Sequence, residues 1–231
     1  MAELPEASNR PSVAAKPVSH TERLWKAEVR IAQTTAERDR IYAFRYPIYV
    51  GELGRQVSFA DHERRWVKDK LDDDATHLYV EREGVVVAAM RGHIGVPYLF
   101  PRYLREAYRL DAFARWPETS LSFSSRLMVR RDSRIAGIDH DLAVAWWQLA
   151  VEKGFLFNFM HSAERLAVVF ERMGCIRFGE VFEEPEIGPR QPFVLPRWGR
   201  EVFAALGSPL AEVALPEPDP HGAVSWFQRT F

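Results

Sequence analysis

Four arginines lie close together in the segment RLMVRRDSRIAG, which runs from Arg126 to Gly137. The segment starts as an apolar strand and leads into a helix that we expect over residues 136–154. The N-terminus of a helix presents unpaired backbone N–H groups and a partial positive charge, and both favour an anion. Arg131 and Arg134 could therefore bind a phosphate there, and Gly137 would let the ligand approach the backbone.

Arginines are also common on solvated surfaces, so a second interpretation stays open. These side chains could instead pair with acidic residues of the same turn, which are Asp132, Asp139 and Asp141. The formal net charge of the chain is only -1, so the protein is not a generally basic nucleic-acid binder. Any anion site must therefore be local.

The elements before this junction follow from hydrophobic periodicity. Residues 25–33 alternate like a strand, and residues 34–54 have the spacing of a helix with a kink at Pro47. Residues 76–95 predict a hairpin that turns at Glu83–Gly84. The first half should therefore form antiparallel strands behind one helix.

After a short helical insertion at 101–116, the chain alternates strands and helices. The predicted elements are a strand over 120–131, a helix over 136–154, a strand over 155–162, a helix over 163–174, and short strands within 175–182 and 191–196. This order puts the strands near residues 125 and 157 side by side and parallel. We expect an α/β fold with a mixed central sheet and helices on both faces.

Length and composition favour one domain, because 231 residues with 47% hydrophobic content can bury a single large core. The predicted organisation is a flexible tail over 1–20, a domain over 21–207 and a C-terminal extension over 208–231. The extension ends in three aromatic residues that should pack on an apolar surface, which are Trp226, Phe227 and Phe231.

A single cysteine, Cys175, excludes an internal disulfide framework and fits a reducing cytoplasm. No segment approaches the roughly 20 apolar residues that span a bilayer. We therefore expect a cytoplasmic protein without membrane insertion.

A family resemblance emerges from the same junction. Arginine at the turn, R-x-x-G at the helix start and FERMGCIRFGE about 35 residues later resemble the GNAT acyltransferase superfamily. In that superfamily the turn binds the phosphate or pyrophosphate of a pantetheine-bearing donor. The resemblance implies a single GNAT-like domain whose parallel strand pair splays apart. Asp139 stands where the turn usually has a small residue, which favours a donor with one phosphate, as on an acyl carrier protein.

A narrower resemblance covers roughly residues 38–180. FRYPIYVGELG, the following acidic loop and hairpin, and FSSRLMV are similar to segments of acyl-homoserine-lactone synthases and the related N-acyl amino acid synthases. Four residues match positions of those families, which are Arg45, Tyr49, Arg91 and Arg126. The resemblance gathers the three arginines near the acceptor.

Departures from the pattern bear on the chemistry. Phe123 replaces a glutamate of the lactone synthases, which disfavours S-adenosylmethionine as the acceptor. Arg55 or a neighbour stands where those enzymes have a tryptophan, and their turn lacks the doubled Arg130–Arg131. Phe170 occupies the place of the GNAT tyrosine that protonates the leaving thiolate, so that acid is missing.

Acyl transfer to an amine needs a neutral amine, a well-placed thioester and a stabilised oxyanion. The candidate bases, each reached directly or through water, are Glu52, Asp74, His77, His93 and His161. We assign three residues to catalysis, which are Glu52, Arg126 and His161. The donor site should comprise Met128, Val129, Arg131, Arg134, Gly137 and Ile138, with an oxyanion donor around Met128–Val129.

The acceptor side should comprise Arg45, Tyr49, Asp74, Arg91 and Ser125. Three partly buried arginines need carboxylates, and Glu52 with one residue of 72–74 could supply them. The alternative is a structural ion-pair network that holds the first helix to the sheet. Five aromatic residues are assigned to the core rather than to an acyl tunnel, which are Trp146, Trp147, Phe155, Phe157 and Phe159.

The sequence thus predicts an N-acyltransferase that moves an acyl group from a pantetheine thioester to a small-molecule amine. The thioester, on an acyl carrier protein or coenzyme A, would be a co-substrate, and we expect no bound cofactor or metal. Three alternatives remain: a transferase of this fold that uses aminoacyl-tRNA, a lactone synthase, or a non-catalytic thioester sensor. The near-neutral charge disfavours tRNA.

Overall fold

The structure is a computed structural model, and it describes residues 27–216 and 219–231. The expected tail over residues 1–20 lies outside the described residues. Ten strands occur in chain order: β1 (Val29–Ile31), β2 (Ala60–Asp61), β3 (Trp66–Val67), β4 (Thr76–Arg82), β5 (Val85–Ile94), β6 (Leu121–Val129), β7 (Phe157–Ser162), β8 (Ile176–Arg177), β9 (Phe182–Glu184) and β10 (Gly188–Pro196).

In the described part of the chain six α-helices cover the sheet, and short 3-10 turns join several of them to the strands. They are α1 (Thr35–Tyr46), α2 (Arg102–Ala107), α3 (Ile138–Glu152), α4 (Ala167–Arg172), α5 (Arg200–Ala205) and α6 (Ala223–Thr230). No helix in the described ranges is long and apolar enough to cross a membrane.

The main sheet has the order β1-β4-β5-β6-β7-β10-β8, with β9 paired to β10, while β2 and β3 form a separate hairpin. All pairs are antiparallel except β6 and β7. The β4–β5 hairpin turns at Glu83 and Gly84 as the sequence indicates. The predicted mixed α/β sheet with helices on both faces is therefore confirmed.

The parallel pair separates soon after it forms. Leu121, Ser122 and Phe123 pair with residues 157–159, whereas β6 continues six residues further without a partner on that side. This is the splayed strand pair that the sequence predicted. It leaves a gap in the middle of the sheet, where backbone groups and side chains can meet a ligand.

A β-bulge in β6 lies beside this gap. Ala89 pairs with Met128 and Arg91 pairs with Ser125, so two residues of β6 oppose one residue of β5. The bulged Arg126 has φ +52°, a left-handed conformation that a non-glycine residue rarely adopts. The bulge therefore changes the direction in which the Arg126 side chain leaves the strand.

The first helix ends differently from the expected simple kink. A capping box between Thr34 and Glu37 starts α1, and a π-helical turn over Pro47–Glu52 follows its last residue. Pro47 has no N–H for the helical ladder, and the chain widens so that the Leu53 N–H donates to the Ile48 carbonyl at 2.9 Å. The wider turn carries Tyr49, which is buried.

The C-terminal extension packs back onto the main domain. Phe113 contacts Trp226 and Phe231 with ring centroids 5.3 and 5.7 Å apart. Phe227 is buried in the same cluster as the sheet residue Phe157. The expected contact between the terminal aromatic residues and an apolar surface is therefore present.

Candidate active site

A cavity of about 730 Å³ lies where β6 and β7 separate. One arm is apolar and runs beneath α3 and α4, and its lining includes Trp146, Trp147, Phe155, Phe170, Met173 and Leu195. The other arm is polar and lies on the opposite side of the sheet, and its lining includes Tyr49, Asp69, Arg91, Arg126, His161 and Glu184. The cavity thus joins an apolar channel to a charged pocket.

The expected arginine cluster forms, with one carboxylate from the predicted run over residues 72–74 and a second from a residue outside that run. Arg45 donates to Asp72 at 2.8 Å, and both side chains are fully buried. Arg91 donates to Asp69 at 2.6 Å and lies 3.3 Å from Asp72. Arg126 also forms an ion pair with Asp69. Three arginines from three elements thus share two aspartates.

The two aspartates belong to one short turn. Asp69 caps a 3-10 turn over Lys70–Asp72 by accepting from the Leu71 N–H, and Asp72 accepts from the Asp69 N–H. This reciprocal D-x-x-D capping, visible in the sequence, is the signal that could have identified Asp69.

Two predicted carboxylates are corrected. Asp74 is exposed and does not line the cavity, because the chain has already turned toward β4. Glu52 is also outside the cavity lining and accepts from Arg134 at 2.5 Å. Neither carboxylate joins the arginine cluster, so the acceptor-side role of Asp74 and a basic role of Glu52 in the pocket have no geometric support.

The cluster carries an excess of positive charge. Burial alone would raise the pKa values of Asp69 and Asp72. The charges of Arg91 and Arg126 lower the pKa of Asp69, and those of Arg45 and Arg91 lower the pKa of Asp72, so both values lie below the usual range. Both aspartates are therefore ionised, and they compensate two of the three guanidinium groups. An uncompensated buried charge favours binding of an anion.

Arg126 is the member of the cluster that is best placed for a ligand. Its guanidinium lies between the rings of Tyr49 and Phe59, at 5.1 and 4.8 Å from their centroids. Its Nε and Nη1 have no hydrogen-bond partner within the described ranges. Burial would lower its pKa, but Tyr49 and the aspartates raise it, so this arginine stays charged. Arg45 does not line the cavity and fits the structural alternative.

Ser125 and Tyr49 both line the cavity and lie beside the arginine cluster. The Arg91 Nε donates to the Ser125 hydroxyl at 3.0 Å, which fixes that arginine against β6. The Tyr49 ring contacts two guanidinium groups, with the Cζ of Arg126 at 5.1 Å and the Cζ of Arg55 at 5.0 Å from its centroid. These contacts make a cationic and aromatic wall.

Two of the candidate histidines have structural roles. The pKa of His77 is lowered to about 4 by burial and by the adjacent Arg45, whose Nη2 lies 3.2 Å from Nδ1. His93 contacts the Leu71 carbonyl through Nε2 at 2.7 Å, and burial with the charge of Arg91 lowers its pKa. Neither lines the cavity. Both hold the turn that carries the aspartates.

His161 lies in the cavity lining, between two partners that the sequence did not indicate. Its Nδ1 is 2.6 Å from the Tyr108 hydroxyl, and its Nε2 is 3.3 Å from Glu184. Glu184 in turn pairs with Arg190 at 3.2 Å. Tyr108 follows α2 and Glu184 ends β9, so three distant segments meet here, and no local pattern could have shown it.

The predicted donor residues lie at the end of β6 and the start of α3. Arg130 N–H donates to the Val87 carbonyl at 2.8 Å, so the next residue back, Val129, turns its backbone groups away from β5. The Val129 carbonyl accepts from Arg134 Nε at 3.1 Å. Met128 lines the cavity. The backbone groups of Val129 therefore face the gap, and its carbonyl is already bound by Arg134.

The turn itself consists of a 3-10 segment before α3. Gly137 has φ +66° and precedes the first residue of α3. The Ile138 side chain is fully buried in the core, so only its backbone could contact a donor. Arg131 is exposed, and Arg130 pairs with Asp132 at 2.7 Å. The surface interpretation thus holds for Arg130.

The five aromatic residues assigned to the core are all buried in it, and three of them also line the apolar arm. Trp146, Trp147 and Phe155 are buried but line the cavity, whereas Phe157 and Phe159 do not. The Trp146 Nε1 donates to Asn158 at 3.0 Å, which fixes the indole beside the strand gap. Periodicity predicts burial but cannot show that two elements leave a cavity between them.

No protein-family profile and no curated protein sequence matches the chain. Solved structures do match. The CoA-dependent acyl-homoserine lactone synthase BjaI, solved with SAM and isopentyl-CoA, has a TM-score of 0.61 at 16% identity, over 88% of this chain and 99% of that chain.

Two N-acyltransferases are similar as well. An acyl-CoA N-acyltransferase from Pseudomonas aeruginosa has a TM-score of 0.55 at 17% identity, over 73% of this chain and 99% of that chain. A protein described as an N-acetyltransferase of Lactobacillus plantarum has a TM-score of 0.53 at 19% identity, over 73% of this chain and 97% of that chain. The chain therefore has the GNAT fold that N-acyltransferases share with acyl-homoserine-lactone synthases.

Proposed function

We propose that the protein is an N-acyltransferase that moves an acyl group from a pantetheine thioester to the amine of a small molecule. The observation that carries the proposal is the two-armed cavity at the strand gap. An apolar arm suits an acyl chain, a charged arm suits a polar acceptor, and the two meet where β6 and β7 part. Such a shape brings a thioester and an amine to one point.

The donor would enter along the free edge of β6. Backbone groups of Val129 face the gap, and the start of α3 with Arg131 and Arg134 lies at the end of the same strand. The pantetheine amides would pair with the strand, and its phosphate would reach the turn. Arg134 must then exchange its contact with Glu52 for the phosphate.

The acceptor would carry an anionic group as well as its amine. Arg126 has two N–H groups without partners in the described part of the chain, and it belongs to a cluster with excess positive charge. A carboxylate on the acceptor would supply the missing partner. An amino acid or a similar zwitterion has both groups.

Phe123 disfavours binding of S-adenosylmethionine in this pocket. Its ring centroid lies 4.3 Å from that of Phe100 and 5.5 Å from that of Phe159, so the position at which the lactone synthases have a glutamate makes aromatic contacts here. We therefore favour amide formation without lactone formation. His161 is the base that the proposal retains from the three predicted catalytic residues, with Arg126 as the anion-binding residue.

The test combines acyl-CoA and acyl carrier protein thioesters with pools of amino acids and simple amines. Thiol release and amide products are followed by thiol titration and mass spectrometry. Amide formation with amino acids, lost in Arg126→Gln and kept in the exposed control Arg64→Gln, supports the proposal. Donor binding without any turnover would contradict the proposal and favour a thioester sensor. Products formed only with aminoacyl-tRNA would show that the donor is aminoacyl-tRNA and not a pantetheine thioester.

The same assay separates the carriers. Arg130 is at the surface, where a charge chiefly affects the association rate with a protein partner. Arg130→Glu should slow transfer from an acyl carrier protein, more at low salt than at high salt, and leave transfer from acyl-CoA nearly unchanged. Equal effects on both donors would contradict a carrier protein as the donor.

A further inference from the structure

A hydrogen bond and an ion pair link three side chains along the polar arm of the cavity. The Tyr108 hydroxyl and His161 Nδ1 are 2.6 Å apart, and His161 Nε2 and Glu184 are 3.3 Å apart. All three side chains line the cavity and are largely buried. Buried polar groups in such a network have defined donors and acceptors.

The protonation states of Tyr108 and Glu184 bear on which nitrogen of His161, which lies between them, donates a hydrogen. Burial and the charge of Glu184 raise the pKa of Tyr108, so its hydroxyl remains protonated. Burial would raise the pKa of Glu184, but His161 and Arg190 lower it, so Glu184 is a carboxylate. The His161 tautomer that matches these two partners has its proton on Nε2, toward Glu184, and accepts from Tyr108 at Nδ1.

Tyr108 lies directly over the point where the strands part. Its ring contacts Phe123 at 6.0 Å and Phe159 at 5.6 Å, and these two residues are the last pair between β6 and β7. It also stacks on His161, two residues further along β7, at 6.0 Å. The hydroxyl is thus held beside the start of the gap, where the proposed function places the thioester.

The reaction needs a proton acceptor and then a proton donor at that point. The attacking amine must lose a proton, and the departing thiolate must gain one. The α4 residue Phe170 lines the cavity without a proton to give, and the next lining residue, Met173, is apolar too. Neither of these two α4-side residues can supply the acid.

We propose that Tyr108 exchanges protons with both the amine nitrogen and the leaving sulfur, and that His161 stores the proton between the two steps. The inference rests on the proposed function, because it assigns a residue to that reaction. Tyr108 is then the catalytic residue that touches substrate. His161 and Glu184 act through it, Glu184 as the positioning residue that orients the imidazole.

In the first step the amine nitrogen bonds to the thioester carbonyl carbon, and the carbonyl π electrons move to oxygen. The nitrogen gives one proton to the Tyr108 oxygen while the Tyr108 proton moves to His161 Nδ1. Tyr108 stays neutral, and the new imidazolium is stabilised by the Glu184 carboxylate. The product of this step is a neutral amine substituent on a tetrahedral oxyanion.

In the second step the oxyanion reforms the carbonyl and the carbon–sulfur bond breaks, with its electron pair on sulfur. Tyr108 gives its proton to the thiolate and regains one from His161 Nδ1. The imidazole, tyrosine and carboxylate return to their starting forms. Amine and thioester have become amide and thiol, with no other reactant consumed.

The first test removes the hydroxyl. Tyr108→Phe should lower kcat about 100-fold or more, the usual range for loss of an acid–base group, with little change in the donor KM. Tyr98→Phe is the matched control, since Tyr98 is an exposed tyrosine just before the insertion that carries Tyr108 and does not line the cavity. The solvent deuterium isotope effect on kcat should change in Tyr108→Phe alone, which a packing defect would not cause.

A second variant keeps the experiment decisive if Tyr108→Phe is unstable. His161→Gln preserves a hydrogen-bond acceptor for Tyr108 but cannot store a proton, so it should lose activity to a similar extent. Because the residues act as one unit, the double variant should be hardly slower than either single variant. Full kcat in either folded single variant would overturn the relay.

A measurement without turnover checks the hydrogen-bond chain itself. Imidazole ¹⁵N resonances of His161 should show the tautomer protonated at Nε2, and Glu184→Gln should weaken that preference. The tautomer protonated at Nδ1 would overturn the relay. If the wild type releases no thiol with any donor and amine, the proposed function fails with it; if the wild type is active and Tyr108→Phe equals it, only the relay fails.

Discussion

Arg134 donates to the carboxylate of Glu52 at 2.5 Å, and this contact links the turn before α3 to the π-helical turn after α1. The first turn belongs to the proposed donor site, and the second carries Tyr49, which supports Arg126 in the acceptor pocket. The Arg134–Glu52 ion pair thus connects the proposed donor site to the proposed acceptor pocket. The pair is partly exposed, which limits its strength.

Removing Glu52 should favour the donor. Glu52→Gln frees Arg134 for a phosphate, so the donor KM should fall several-fold, whereas Arg134→Ala should raise it roughly tenfold, the usual effect of losing a bond to a charged group. Steady-state kinetics with one donor measure both variants. A rise of KM in Glu52→Gln would mean that the pair positions Arg134 for the phosphate instead of competing with it.

Asp72 should be essential for stability. Asp72→Asn leaves Arg45 and Arg91 buried with less compensation, and loss of one partner from a buried pair costs about 3–5 kcal/mol. The neighbouring Asp73→Asn is the matched control, because its pair with Lys68 is largely exposed and should contribute at most about 1 kcal/mol. Denaturant unfolding compares the two, and similar losses would contradict a structural role of the network.

As pH falls, protonation of His77 should lower the free energy of unfolding before protonation of the aspartates does. The pKa of His77 is lowered to about 4 in the folded chain, so between its unfolded value near 6.5 and pH 4 the unfolded state binds more protons. The unfolding free energy should therefore fall as pH drops through this window, by up to about 3 kcal/mol. His77→Gln should flatten the slope.

The aspartates act at lower pH. Their pKa values are depressed, so their stabilisation is complete above the unfolded value near 3.8 and is lost as pH falls further. Unfolding curves between pH 7 and 4 therefore report mainly on the two buried histidines with lowered pKa values, His77 and His93, with little contribution from these two aspartates. An unchanged slope in His77→Gln would assign the pH dependence to another group.

Gly92 should set the shape of the apolar arm. A Cβ at this position would lie 2.2 Å from the Trp146 ring, so Gly92→Ala must displace the indole and disturb its bond to Asn158. The ring lines the cavity, and we expect the variant to prefer shorter acyl chains than the wild type. Competition among donors of graded chain length measures the preference. An unchanged preference would place the acyl chain elsewhere.

Local patterns in the sequence determined much of the architecture. Alternation predicted the hairpin that turns at Glu83, and the strand–helix–strand order predicted that β6 and β7 are parallel neighbours. The glycine before α3 marked its start. These features depend on contacts between near neighbours or on chirality, and one sequence contains that information. The three arginines of the acceptor side were found because a resemblance, and not their spacing, grouped them.

The tertiary structure alone decided which residues complete the site. The Asp69 carboxylate, and not that of Asp74, pairs with an arginine of the cluster, because the capped turn directs the Asp69 side chain toward the sheet. The partners of His161 lie 53 residues earlier at Tyr108 and on β9 at Glu184, and only the packing of the insertion and the β9–β10 hairpin brings them together. Hydrogen-bond geometry between such distant segments follows from the packed core, since no periodicity along the chain encodes it.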